Sequence, residues 1–66
     1  MQWMTVQAVA DYIHTKADKV VALPETGELR AYRKPWVRDA RASLLVNSYD
    51  VDEMVRSWPQ AGDAPA

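Results

Sequence analysis

The residues most able to do chemistry in this chain are basic, and they are concentrated in one stretch. Between Leu29 and Ser43, five basic side chains stand against a single acidic residue, Asp39. Lysine and arginine neutralise phosphates and release condensed counterions, and arginine also suits a narrow minor groove. The stretch therefore predicts contact with double-stranded DNA, although a solvated hairpin is the plainer alternative. The predicted contact residues are Arg30, Arg33, Lys34, Arg38 and Arg41.

A second group of candidate residues precedes this stretch, on a predicted helix after His14. Lysine can donate to O6 and N7 of guanine, and an alanine methyl can meet the methyl of thymine. The residues predicted to read bases are Thr15, Lys16, Lys19 and Ala22. So few residues specify only a few base pairs, which predicts several copies or a larger complex on adjacent sites. The alternative is that the lysines are ordinary solvent-exposed side chains.

Two short helices joined by a tight turn are predicted to position this second group. Thr5 is the predicted N-cap of the first helix, since apolar residues follow it at helical spacing. Thr15 is the predicted N-cap of the second, which we expect to end near Leu23 because Pro24 removes a backbone donor. Isolated helices of this length are marginal in water, so the two must pack on each other, as in a helix-turn-helix.

The turn between the helices contains His14, the one histidine of the chain. A tight turn here favours a residue with positive φ, which histidine tolerates less well than glycine. A metal site usually combines several histidine or cysteine ligands, and the chain has no cysteine and no second histidine. We therefore interpret His14 as a turn residue and predict no metal and no other cofactor.

The basic stretch itself is predicted to form a two-stranded wing. Polar and apolar residues alternate over 28–33, as in a half-buried strand. Pro35 cannot donate to a strand ladder, so the loop is predicted to begin there. The return strand is predicted over 43–46, which is the remaining apolar run with strand propensity. Pairing of 36–38 onto the first strand is the alternative register.

Two tryptophans lie next to these predicted elements. Trp36 either packs onto the core or stacks on a sugar or a base, and we favour the core because a small domain rarely leaves a tryptophan exposed. Trp3 precedes the first helix and is predicted to lie over the edge of the core. Both are thus expected to stabilise the fold.

A third helix is predicted after the return strand. Asn47 or Ser48 can cap it, and carboxylates in its early turns complement the helix dipole. Pro59 ends it, and residues 59–66 are predicted to form a disordered tail. Its predicted buried face, at helical spacing, consists of Val51, Met54, Val55 and Trp58.

Taken together, these segments resemble a known family. The runs TVQAVADYI, KVVAL and GELRAYR, continuous from Thr5 to Tyr32, are similar to the excisionase-type, MerR-like winged helix-turn-helix modules, and 50–55 resembles their closing helix. The resemblance implies an α+β winged helix-turn-helix domain over 4–58, with two N-terminal helices, a wing along the minor groove and a C-terminal helix. The chain departs from the family at His14, where glycine is usual, and at Pro24, where an apolar helical residue is usual.

The same resemblance implies a function and partners. The expected protein is a phage excisionase, or recombination directionality factor, which binds and bends attachment-site DNA and helps an integrase perform excision. Self-association on DNA and contact with the integrase are the implied partnerships. A small transcription regulator of the same fold, similar to AlpA-type activators or phage repressors, is the nearest alternative.

Length and composition limit the remaining classes. Sixty-six residues predict one domain with little room for a catalytic cleft, so we do not expect an enzyme. No apolar run approaches a membrane span, and we expect a protein of the bacterial cytoplasm, associated with the nucleoid and without a membrane partner. The net charge of −1 leaves open a protein-interaction or antitoxin-like module that uses the acidic third helix and Trp58.

Overall fold

The computed structural model describes residues 1–63, which form three α-helices, a three-stranded antiparallel sheet and one 3-10 turn. The chain is therefore α+β, as predicted. The helices are α1 (Val6–Tyr12), α2 (Ala17–Thr26) and α3 (Ser48–Arg56); the strands are β1 (Trp3–Met4), β2 (Ala31–Arg33) and β3 (Leu44–Asn47); the 3-10 turn is Ala61–Asp63. The last residues of the predicted disordered tail, 64–66, lie outside the described part. None of the described helices is long and apolar enough to cross a bilayer.

Helix α1 begins at the predicted cap. Thr5 has extended backbone angles, and its Oγ1 accepts a hydrogen bond of 3.1 Å from the amide of Ala8. This bond satisfies one of the amides that a helix N-terminus leaves without a partner. Val6, Val9 and Ala10 are buried against α2 and the sheet. The spacing of apolar residues thus identified the buried face of this helix correctly.

The turn between α1 and α2 has the strained residue that was expected. His14 has a φ of 57°, the one positive value at a non-glycine position in residues 1–63. The predicted cap at Thr15 is wrong, because Lys16 is the N-cap of α2 and makes no side-chain capping bond. Thr15 instead closes the end of α1, since its amide donates to the carbonyl of Ala10 at 2.8 Å. The second helix consequently starts two residues after Thr15.

The predicted end of α2 at Leu23 is also wrong, because Pro24 lies inside the helix. Proline removes one helical hydrogen bond, and only three residues of α2 remain from that point. Gly27, with a φ of 81°, then ends the helix. The amide of Glu28 donates to Leu23 O and that of Gly27 to Pro24 O, both at 3.2 Å, which is a Schellman motif.

The sheet has the strand order β1-β3-β2 and is antiparallel throughout. The return strand lies within one residue of the predicted one, and β2 pairs with it rather than with 36–38, so the alternative register is wrong. Both predicted strands are present, and a third strand that was not predicted, Trp3–Met4, pairs with the other edge of β3. The amide of Ser48 extends this pairing by donating to Gln2 O at 2.8 Å. A strand of two residues is too short to show an alternating pattern of polar and apolar residues. It could not be predicted from the sequence, because it is defined by its pairing with β3.

Helix α3 has a narrower buried side than predicted. Asn47 is its N-cap, with Oδ1 accepting from the amide of Tyr49 at 2.8 Å, so this prediction is confirmed. Val55 and Trp58 are 37% and 44% exposed, contrary to the prediction, because the helix ends at Arg56 and only one side of it faces the sheet. The core consists of Val6, Val9, Ala10, Val20, Leu23, Leu29, Leu44, Val46, Val51 and Met54.

Candidate nucleic-acid interface

The loop between β2 and β3, residues 34–43, contains three of the eight lysine and arginine residues of the chain and is held by hydrogen bonds across its base. The amide of Lys34 donates to Ser43 O at 2.8 Å, which extends the strand pairing by one step. The amide of Val37 donates back to Lys34 O at 3.3 Å and closes a four-residue turn. Farther along, Asp39 Oδ1 accepts from the amide of Ala42 at 2.8 Å. The loop is therefore an ordered projection from the sheet.

Arg33, a predicted DNA contact, also fastens this loop. Its Nη1 donates to Ser43 Oγ at 2.6 Å and to Ala40 O at 3.3 Å. Ser43 is completely buried, and its hydroxyl donates in turn to Ala40 O at 2.9 Å. Burial of a hydroxyl is favourable only when it is hydrogen-bonded, and Arg33 completes the bonding of this one. The sequence indicated the charge of Arg33 but not this second role.

An ion pair between Arg41 and Asp18 connects the loop to the first turn of α2. Both side chains are more than half exposed, so the pair contributes at most about 1 kcal/mol to stability. Its significance is positional, because it brings a basic loop against the start of the second helix. Sequence reasoning did not find this contact, since the two residues are distant in the chain and opposite charges are common.

The predicted base-reading residues lie on or just before α2. Lys16, Lys19 and Ala22 are exposed, whereas Thr15 is half-buried in the turn. The helix also exposes Asp18 and a further carboxylate, Glu25, so its outer surface is close to neutral. The positive charge of the candidate interface therefore comes mainly from the loop.

The five predicted wing residues do not form one cluster. Lys34 and Arg41 line a shallow groove with the start of α1, and Arg38 is exposed on the same loop. Arg30 precedes β2 and lines a different groove, with Asp50 and Glu53 of α3. Nearby carboxylates reduce the potential that Arg30 presents to a polyanion. The structure thus brings Lys34 and Arg41 together and leaves Arg30 apart.

Trp36 does not pack onto the core, so the favoured interpretation of this residue was wrong. Its side chain is 77% exposed at the corner of the turn, next to Pro35. It lies in the loop between β2 and β3, outside the cluster of buried residues that forms the core. A signal was present in the sequence, since Trp36 follows a proline and lies between Lys34 and Arg38, with no apolar pattern in register.

Helix α3 is acidic, with Asp50, Asp52 and Glu53 against Arg56, and a hydrogen bond joins it to α1. Tyr12 Oη of α1 donates to Asp52 Oδ1 of α3 at 2.8 Å. This hydrogen bond, together with the negative charge of Asp52, raises the pKa of Tyr12 above its ordinary value. Across residues 1–63, no three His, Cys, Asp or Glu side chains come close enough together to hold a metal ion.

Comparison of the chain with known proteins gives no match, whether to family models, to curated proteins or to solved structures. The resemblance to excisionase-type modules therefore depends on the short sequence segments named above. His14 and Pro24, the two departures from that family, are both accommodated, one by a positive φ and the other inside a helix.

Proposed function

We propose that this chain is a sequence-specific double-stranded DNA-binding protein of the winged helix-turn-helix type, in which α2 is the recognition helix and loop 34–43 is the wing. The observation that supports this most is the Arg41–Asp18 ion pair, because it sets the basic loop beside the start of α2. A wing in that position can follow the backbone while the helix lies in the adjacent major groove.

This proposal assigns two kinds of DNA contact, one to phosphates and one to bases, to different residues. Lys34 and Arg38 neutralise phosphates and, with the guanidinium nitrogens of Arg33 that the loop does not use, fix the orientation of the protein. Lys16 and Lys19 reach base edges and supply specificity. Arg30 contributes less, because it lies beside carboxylates of α3.

Within this class, an excisionase that helps an integrase is the function we propose. One copy offers few base-reading residues, so useful specificity needs several copies on adjacent sites, and successive copies can bend the DNA. A transcription regulator of the same fold binds DNA in the same way. Addition of the protein to an in vitro recombination reaction with an integrase and its attachment sites separates the two, since only a directionality factor shifts the reaction from integration to excision.

The first experiment is a titration of duplexes from the DNA flanking the gene, and of an unrelated duplex, at several salt concentrations. We expect discrete complexes on the flanking DNA whose affinity falls as salt rises. Arg38→Ala should weaken binding to every duplex and reduce the salt slope by about one, while Lys19→Ala should lower the preference for the specific duplex.

Arg56→Ala is the matched control, because Arg56 is another exposed arginine, on the acidic helix α3, where it pairs with Glu53 at 3.5 Å. Its affinity should equal that of the wild type. Unchanged binding in Arg38→Ala and Lys19→Ala, or no binding of the wild type at any salt concentration, contradicts the proposal.

One observation favours a different class of function, namely a protein-interaction module. Tyr12, Val55 and Trp58 leave apolar surface exposed beside Asp52 of α3. Exposed apolar surface with a polar border is typical of protein contacts. Isolation of a stable complex with one protein partner, lost in Trp58→Ala, together with no DNA binding, supports this second candidate.

A further inference from the structure

The side chain of Trp36 is unusual for a domain of this size. It is the most exposed of the large apolar side chains in residues 1–63, at 77%. Leaving so much apolar surface in water forfeits a contribution that small domains need for stability. Pro35 precedes it in the turn closed by Val37 N and Lys34 O, so the indole is at a corner whose backbone is restricted.

The loop that presents Trp36 is fixed on both sides. On one side, Arg33 binds Ser43 and Ala40. On the other, Arg41 pairs with Asp18. An anchored loop loses little conformational freedom when it binds, so the indole is already placed for a partner.

The charge around Trp36 distinguishes it from the other two tryptophans. Lys34 and Arg38 lie two residues before and after it. Trp3, in contrast, makes an edge-to-face contact with Tyr32, at 5.6 Å between ring centroids, and Trp58 lies beside Asp52. An exposed indole between two cations fits a partner that combines flat apolar surfaces with negative charge. Stacked base pairs between phosphates have both properties.

We propose that Trp36 is a wedge that inserts between adjacent base pairs of duplex DNA from the minor groove and kinks it. This proposal rests on the proposed function and adds the residue that bends the DNA and the way it does so. Apolar side chains inserted in this manner unstack one base step and bend the duplex by about 20–90°. Lys34 and Arg38 bind the phosphates on either side of the opened step.

The test uses short duplexes from the flanking DNA with a donor and an acceptor dye at their ends. The wild type should shorten the end-to-end distance, and Trp36→Ala should abolish most of this change and weaken binding about tenfold. Trp36→Phe should retain part of both effects. Trp58→Ala, a control at another exposed tryptophan, should retain both completely. Circular dichroism verifies that each variant is folded.

A second measurement follows the indole directly. In a Trp3→Phe, Trp58→Phe background, the fluorescence of Trp36 should be quenched by the duplex, because stacking on bases quenches tryptophan. Duplex binding by Trp36→Ala with wild-type affinity and an unchanged dye distance overturns the wedge and leaves the proposed function intact. Quenching by single-stranded DNA alone also overturns it. Absence of any DNA binding by the wild type overturns both.

Discussion

At the scale of single residues, Tyr12 offers a prediction about pH. Asp52 raises the pKa of Tyr12 by accepting its hydroxyl proton in a hydrogen bond and by its negative charge. Folding therefore stabilises the neutral phenol. The resulting gain in the free energy of unfolding is fully present below about pH 10, which is the pKa of tyrosine in the unfolded chain. It is lost as the pH rises through the raised pKa of Tyr12 in the folded protein. Urea unfolding of Tyr12→Phe should give a lower midpoint than the wild type at neutral pH and an equal midpoint under strongly alkaline conditions.

Tyr49→Phe is the control for this measurement. Tyr49 lies on α3 and is 64% exposed, and its hydroxyl makes no hydrogen bond within residues 1–63. Its replacement should leave the midpoint unchanged at both pH values. If Tyr12→Phe lowered the midpoint equally at neutral and alkaline pH, the effect would come from packing, and the hydrogen bond to Asp52 would have no role.

At the scale of elements, Gly27 determines how α2 ends in spite of Pro24. Its φ of 81° is available to glycine at no cost, and an added Cβ would meet no atom within 4 Å. Gly27→Ala should therefore lower the free energy of unfolding through backbone strain alone, by about 1–2 kcal/mol. Gly27→Asn should cost less, because asparagine visits this region more readily. Urea titration measures both.

Gly62→Ala provides the comparison, since an added Cβ at Gly62 also has no atom within 4 Å and its φ is not in the left-handed region. Its replacement should change the free energy of unfolding by less than about 0.5 kcal/mol. Equal losses in Gly27→Ala and Gly62→Ala would contradict the assignment of the strain to the Schellman motif.

At the scale of the whole molecule, a chain of this size has a small core and a small reserve of stability, about 3–10 kcal/mol. Val51 and Val55 lie on the same helix with exposures of 0% and 37%. Val51→Ala should lower the free energy of unfolding by about 1.5–3 kcal/mol, a large fraction of the total. Val55→Ala should change it by less than about 0.5 kcal/mol. Similar losses in both variants would mean that α3 does not pack as described.

Short-range patterns in the sequence predicted a large part of this fold. The caps at Thr5 and Asn47 could be predicted because capping depends on a few neighbouring residues. The short strand at Trp3–Met4 could not, since it exists only through its pairing with β3. In the candidate interface, the positive charges could be predicted from the sequence. The exposure of Trp36 and the ion pair of Arg41 could not, because both depend on the position of the loop in the folded protein.

The pairing of β1 with β3 also has a consequence for synthesis of the chain on the ribosome. Trp3 lies opposite Asn47, so the first strand has no edge to join until β3 has left the exit tunnel. Helices α1 and α2 form contacts between near neighbours and can fold earlier, because closing a short loop costs less entropy. Trp3 and Met4 are therefore synthesised well before their partner strand and are among the last of residues 1–63 to reach their native partners.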